Sequence, residues 1–152
     1  MSSFTNELKA SPLSNGIDWK LLASFSYHVG SKYSKTVVKV PAGFVTDFAS
    51  IPAFIVVMFG LIAMVIGYYW AAWLFILGII AAICAAIMPR WGKYGKAAVI
   101  HDYLYYTKDF SRRIADSIFL EAMEVLGVNL IERKTMYYAV RWFGWLAWKK
   151  RK

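Results

Sequence analysis

The stretch "KAAVIHDYLYYTKDFSRRIADSIFLEAM", residues 96–123, sets a His-Asp pair inside an apolar helical pattern. A first helix is predicted from about Lys93 to Tyr106, after which "KDFS" turns the chain. The next segment has apolar residues at the helical period, and Gly127 stands where a helix-ending glycine is expected; those apolar positions are 114, 115, 118, 119, 122, 123 and 126. The sequence therefore predicts two antiparallel helices joined by a short connection.

The His-Asp pair is the first candidate for chemistry. On a helix, His101 and Tyr105 lie one above the other, whereas Asp102 is rotated by about 100°. His101 suits a general base that acts on water, and Asp102 suits a ligand for a hard cation such as calcium. Asp116, on the second helix, is placed to accept the second ring N–H of His101 and so fix its tautomer.

A structural explanation fits the same residues. A histidine near an apolar helix face is commonly a hydrogen-bonded structural residue, and Asp116 can equally be solvated or paired with Arg112 or Arg113. His28, on a predicted strand beside a Gly-Ser turn, is a weaker candidate. From spacing alone, the catalytic and the structural explanations both stay open.

The N-terminal part reads as β structure. Residues 18–28 and 36–40 are rich in aromatic and β-branched side chains, and the glycine and serines between them suit a turn, so they predict a β-hairpin. Residues 41–52 contain two prolines and a glycine, which predict a structured loop.

Residues 48–89 contain no charged side chain, and 59% of the 152 residues are hydrophobic. A single helix of that length would measure about 63 Å, roughly twice the hydrocarbon thickness of a bilayer. Aromatic residues after Gly67 suit a turn at a membrane interface. We therefore expect a transmembrane helical hairpin at 52–67 and 70–88. A hairpin packed inside a soluble oligomer is the alternative.

The charge distribution predicts an orientation for that hairpin. The expected turn carries no Lys or Arg while both flanks carry many, and the formal net charge is +9. The positive-inside bias places the charged portion on the cytoplasmic side of a bacterial inner membrane or a virion membrane. The N-terminus lacks the pattern of a secretory signal, and the single Cys84 allows neither an internal disulfide nor a cysteine-based zinc site.

Residues 129–152 predict an amphipathic helix. Six aromatic residues lie between 137 and 148, Arg141 is the one charge among them, and four basic residues close the chain. This pattern is typical of an interfacial helix that contacts anionic lipid headgroups. Nucleic acid, bound by stacking and phosphate contacts, is the less favoured partner.

The expected fold is thus an α+β membrane protein with four parts. Residues 1–50 form the β-rich part of a cytoplasmic domain and residues 51–89 the transmembrane hairpin. Residues 90–128 add the His-Asp helix pair to the same domain, and residues 129–152 form the interfacial helix.

Three segments closely resemble a family of small phage and prophage proteins of unknown function: "VPAGFVTDFASIP", "GKYGKAAVIHDYLY" and "SRRIADSIFLEAMEVLGV". The first contains the motif Gly43-Phe44-x-Thr46-Asp47-x-Ala49-Ser50-x-Pro52. The likeness covers most of residues 36–144 apart from the hydrophobic block, by which this chain departs from the family. It implies a phage origin and a domain interrupted by an insertion.

A second likeness covers about thirty residues. His101-Asp102-x-x-Tyr105 followed by Ala115-Asp116 is similar to the catalytic helix pair of the small calcium-dependent secreted sn-2 phospholipases. That resemblance implies His101 as the base, Asp102 and Asp47 as calcium ligands, Asp116 as the carboxylate that orients the histidine, and Tyr105 as a supporting hydroxyl. The chain departs from those enzymes in having no disulfide framework, no cysteines beside the histidine and no glycine-rich calcium loop.

Two functions follow as expectations. The first is a phage-encoded membrane protein with a His/Asp site that hydrolyses a lipid ester, assisted by calcium. The second is a non-enzymatic structural, ejection or lysis-associated phage protein in which the His/Asp cluster is a structural polar network. Expected partners are the lipid bilayer, a second copy of the chain or other phage proteins.

Overall fold

The structure is a computed structural model that describes residues 3–48 and 92–150, together with residues 60–62, 64–66, 68, 76 and 79. The chain divides into two compact units, one made of Met1–Ser50 with Trp91–Lys152 and the other of Ile51–Arg90. The sheets and helices that surround the candidate site all belong to the first unit.

The N-terminal part forms two small antiparallel sheets from six short strands: β1 (Ser3–Phe4), β2 (Ala10–Pro12), β3 (Trp19–Leu21), β4 (Phe25–His28), β5 (Val37–Val40) and β6 (Val45–Thr46). One sheet has the order β1-β4-β5 and the other β2-β3-β6. In the first, Phe25 pairs with Val40 and Tyr27 with Val38, and all four side chains are buried. Alternate residues of the two strands therefore face the core, as the period of a strand requires.

The predicted hairpin is thus shorter than expected. Only β4, the second part of residues 18–28, pairs with β5, whereas β3 pairs with β2 and β6 in the other sheet. The chain bends at residues 22–24 because the backbone around the bend bonds elsewhere. Leu22 N–H donates to the carbonyl of Lys9, and Leu21 N–H donates to that of Phe44.

Three helices complete the unit: α1 (Gly95–Thr107), α2 (Arg112–Val125) and α3 (Leu130–Lys150). Helix α1 ends at Thr107, and the next residue, Lys108, takes a left-handed conformation with φ 58°. Ser111 caps α2 by accepting the N–H of Ile114 on its hydroxyl. Gly127, with φ +68°, follows the end of α2 and lets the chain turn into α3. The antiparallel pair expected from the sequence corresponds to α1 and α2.

The helices pack on the first sheet and on one another. Buried side chains of α2 repeat at helical spacing and include Ala115, Ile118, Phe119 and Met123. Glu121, also on α2, accepts the hydroxyl of Tyr27 at 2.8 Å and the N–H of Gly30 at 2.7 Å. This carboxylate therefore joins β4 and the turn that follows it to α2.

The transmembrane hairpin expected at 52–67 and 70–88 is wrong by this structure. In the part of the chain that the structure describes, no helix is both long and apolar enough to cross a bilayer. Helices α1 and α2 have 13 and 14 residues, short of the roughly 20 that a span needs. Helix α3 has 21 residues but is interrupted by charge: Glu132, Arg133, Lys134, Arg141, Lys149 and Lys150.

Most of residues 51–89 lie outside the described residues. The expected fold class, a membrane protein, is therefore corrected to two small antiparallel sheets with helices. The expected membrane location and cytoplasmic orientation depended on the hairpin and are corrected with it.

Helix α3 also differs from the expected interfacial helix. It packs against α2, with Met136 and Val140 buried. Arg112 on α2 donates to the backbone carbonyls of Val140 and Arg141 at 3.3 and 3.0 Å. These contacts make α3 part of the folded unit, because they hold its backbone as well as its side chains.

Candidate functional site

The site is built around Asp116, a carboxylate on α2 with no exposed area. Its Oδ1 lies 3.0 Å from Nε2 of His101 and accepts the hydroxyl of Tyr105 at 2.6 Å. Its Oδ2 accepts a guanidinium N–H of Arg141 at 2.8 Å, and an Nη of Arg112 lies 3.9 Å away. Groups from all three helices therefore meet at one buried carboxylate.

Local sequence explains how these groups come together. His101 and Tyr105 are four residues apart on α1, so both face α2 from successive turns. Arg112 is four residues before Asp116 on α2, and Arg141 reaches the carboxylate from the middle of α3. The short turn between α1 and α2 sets the first two helices side by side.

The hydrogen bonds decide the charge of Asp116. Burial alone raises the pKa of this carboxyl, but donation from His101, Tyr105 and Arg141 outweighs burial and holds the pKa below its usual value. Burial and the hydrogen bond to Asp116 raise the pKa of the Tyr105 hydroxyl. The hydrogen bond to Asp116 raises the pKa of the Arg141 guanidinium. Asp116 is consequently an ionised acceptor with neutral and cationic donors around it.

The ring of His101 contacts two aromatic rings in addition to Asp116. Its centroid lies 4.1 Å from that of Tyr105 and 4.7 Å from that of Phe119, and the residue is 3% exposed. When Nε2–H donates to Asp116, Nδ1 of the neutral ring carries the lone pair. The contact with Asp116 thus selects the tautomer in which Nδ1 is the basic atom.

Asp102 lies at a second buried contact. The hydroxyl of Thr46 donates to its Oδ2 at 2.6 Å, and the same hydroxyl oxygen accepts the N–H of Phe48 at 3.2 Å. Phe48 has φ 55°, a left-handed conformation that is costly for a residue with a side chain. The hydrogen bond from Thr46 to Asp102 therefore holds the strained backbone at Phe48 against α1.

The predicted calcium ligands are Asp47 and Asp102. Among residues 3–48, 92–150 and the few described between them, no group of three His, Cys, Asp or Glu side chains could hold a metal ion. Asp47 lies between Thr46 and Phe48, and Asp102 uses Oδ2 to bind Thr46. Calcium prefers six to eight oxygen ligands, which include backbone carbonyls and water as well as carboxylates, so the calcium site stays a prediction.

The structure brings together three of the predicted site residues, His101, Tyr105 and Asp116. His28 is apart from them, with Nδ1 3.3 Å from the carbonyl oxygen of Ser34 in the turn after β4. The motif residues Ala49, Ser50 and Pro52 lie outside the described residues.

Sequence reasoning missed Arg141 and Thr46. Arg141 is the one charge in an otherwise uncharged aromatic run, and such a residue commonly has a buried partner. That signal could have found it. Thr46 belongs to the quoted motif, but nothing in its spacing indicates a partner 56 residues away.

The chain belongs to the family described as "Protein of unknown function (DUF1353)", which matches residues 19–72 and 77–140. No curated protein and no solved structure matches the chain.

Proposed function

We propose that this member of the DUF1353 family is an ester hydrolase in which His101 is the general base. The observation that supports the proposal is the contact of Nε2 of His101 with Oδ1 of Asp116 at 3.0 Å. A buried carboxylate that orients a histidine and stabilises its protonated form is the arrangement that general-base catalysis uses. Tyr105 binds the same oxygen and keeps the carboxylate in place.

In the proposed reaction, His101 accepts one proton from water and later donates it to the leaving alcohol. Nδ1 takes a proton from water as the water oxygen bonds to the ester carbonyl carbon. The tetrahedral intermediate then breaks its bond to the alcohol oxygen, and the proton on Nδ1 passes to that oxygen. Products are a carboxylic acid and an alcohol, and His101 returns to its neutral form. Asp116 stays ionised throughout and stabilises the imidazolium.

The substrate class comes from the resemblance to the sn-2 phospholipases, which implies an ester of a lipid. Exposed side chains of α3 support an amphiphilic substrate, because Trp142, Trp145 and Leu146 are open to solvent. Trp145 lies on the same helix as Trp148, whose ring meets that of Tyr105 at 5.1 Å. A phage origin, implied by the motif resemblance, is part of the same proposal.

Calcium is not given a step in this mechanism. Among the described residues no three His, Cys, Asp or Glu side chains are grouped to hold a metal ion, and Asp102 binds Thr46. A calcium requirement stays a prediction that the same assay can test, by adding calcium or a chelator and by comparing Asp102→Asn with the unchanged protein.

Hydrolysis of a long-chain ester in detergent micelles tests the proposal. His101→Gln is expected to lower kcat by about 100-fold or more, the usual contribution of a general base. His28→Gln is the matched control, since it removes the other histidine, and it should leave the rate unchanged. Equal rates for the two variants and the unchanged protein would rule out His101 as the base.

A structural network is the second candidate function. It is favoured by the number of donors at Asp116, which ties α1, α2 and α3 together at a point without exposed area. The corresponding protein would be a non-enzymatic phage component. In that case the unchanged protein hydrolyses no ester, and His101→Gln changes only the melting temperature.

A further inference from the structure

The two oxygens of Asp116 have different partners. Oδ1 faces α1 and binds His101 and Tyr105, whereas Oδ2 faces α3 and binds Arg141. A carboxylate held at only one oxygen can rotate about its side-chain bonds. With both oxygens bound, the plane of the carboxylate is fixed, and so is the direction from which Oδ1 meets the histidine.

Arg112 and Arg141 have different hydrogen-bond partners. Arg112 Nη1 lies within 3.3 Å of two backbone carbonyls of α3 but is 3.9 Å from Asp116. Arg141 Nη1 is 2.8 Å from Asp116. Arg112 therefore holds the helix, and Arg141 holds the carboxylate.

The same face of α3 also contacts Tyr105. Gly144, three residues after Arg141, comes so close that an added Cβ would lie 2.5 Å from the tyrosine hydroxyl. Trp148, four residues further, packs its ring edge-on to that of Tyr105. Positions 141, 144 and 148 are on one side of the helix. This side of α3 therefore packs against the site that α1 and α2 form.

We propose that Arg141 is a positioning residue for His101, acting through Asp116, so that the site is complete only when α3 is docked. This inference rests on the proposed function, because it concerns the regulation of the same site. Helix α3 would then regulate the site. Displacing α3 would remove the Arg141 contact from Oδ2 of Asp116, and the orientation of the His101 ring would no longer be fixed.

The other groups near the ring do not replace Arg141. Tyr105 shares Oδ1 with the histidine, and Arg112 is directed to the backbone of α3. Asp102, the next residue on α1, binds Thr46. Phe119, on α2, is apolar. Among the described residues, the cation within hydrogen-bond distance of Oδ2 is Arg141.

The test is the exchange of the Nε2 proton of His101 with water, measured by NMR in ¹⁵N-labelled protein. Arg141→Gln is expected to speed this exchange at least tenfold and to shift the tautomer equilibrium of the ring. Arg133→Gln is the matched control, because Arg133 also pairs α3 with α2, through the exposed Glu124 at 3.1 Å. It should change the exchange rate less than twofold.

Arg141→Lys keeps the positive charge and should restore exchange to within about threefold of the unchanged protein. If Arg141→Gln does not fold, Gly144→Ala is the second variant, with Gly95→Ala as its control. Gly144→Ala separates α3 from Tyr105 and should also speed exchange of the His101 Nε2 proton tenfold. Exchange in Arg141→Gln equal to that in Arg133→Gln, or in Gly144→Ala equal to that in Gly95→Ala, would overturn the proposal.

The measurement needs no substrate, so it is independent of the proposed function. Tenfold faster exchange in Arg141→Gln from a protein that hydrolyses no ester would support the positioning role and defeat the hydrolase. Hydrolysis that depends on His101, together with unchanged exchange in Arg141→Gln, would support the hydrolase and overturn the positioning role.

Discussion

Gly144 lies directly against the hydroxyl of Tyr105, and a Cβ at this position would be 2.5 Å from that oxygen. The tyrosine cannot simply move aside, because its hydroxyl is bound to Asp116 and its ring packs on Trp148. A helical glycine normally costs stability. Here it permits the approach of α3 to the candidate site.

Gly144→Ala is therefore expected to destabilise the protein by about 1 to 3 kcal/mol, the usual cost of overpacking, although alanine favours helix. Urea unfolding measures the change. Gly95→Ala is the control, because its Cβ would meet Phe48 at an ordinary 4.0 Å. Equal or greater stability of Gly144→Ala would show that α3 does not approach Tyr105 this closely.

Asp116→Asn removes the charge on which three donors converge. Breaking a buried ion pair by removing one partner leaves the other uncompensated, so we expect a loss of about 3 kcal/mol in the free energy of unfolding. Asp109→Asn, in the exposed turn between α1 and α2, is the matched change and should cost less than about 0.5 kcal/mol. Similar stabilities of the two variants would contradict the network.

The lowered pKa of Asp116 makes stability depend on pH. The unfolded carboxyl, with a pKa of about 4, takes up a proton before the folded one as pH falls. The contribution of Asp116 is thus complete above the unfolded pKa and is lost as pH falls through the folded pKa. Unfolding free energies from about pH 6 to about pH 3 should fall less steeply in Asp116→Asn than in Asp109→Asn. Parallel curves would contradict this assignment.

Thr46→Val removes the hydroxyl that Asp102 accepts and that holds the N–H of Phe48. A buried acceptor that loses its donor costs about 1 to 3 kcal/mol, and the strained backbone at Phe48 loses a support as well. Thermal unfolding should show the loss. Thr46→Ser keeps the hydroxyl and should retain most of the stability. Equal melting temperatures for Thr46→Val and the unchanged protein would count against this contact.

The sequence was sufficient for the local part of the fold. Periodicity placed the helix pair, and the position of Asp116 on the second helix allowed for its contact with His101, whereas the role of Tyr105 was implied by the phospholipase resemblance alone. The sequence did not reveal Thr46 as the donor to Asp102, because the identity of a carboxylate does not distinguish a metal ligand from a hydrogen-bond acceptor. It also missed Arg141, since an amphipathic pattern does not say which surface a helix packs against.

The contact of Thr46 with Asp102 joins two parts of the chain that lie on either side of residues 51–90. Phe48 packs beside Gly95 close to the same contact. The described chain on both sides of that segment is thereby held together, and lengthening a closed loop costs little, about 0.6 kcal/mol for each doubling. Changes in the length of the segment between these two contacts should therefore cost the first unit little stability.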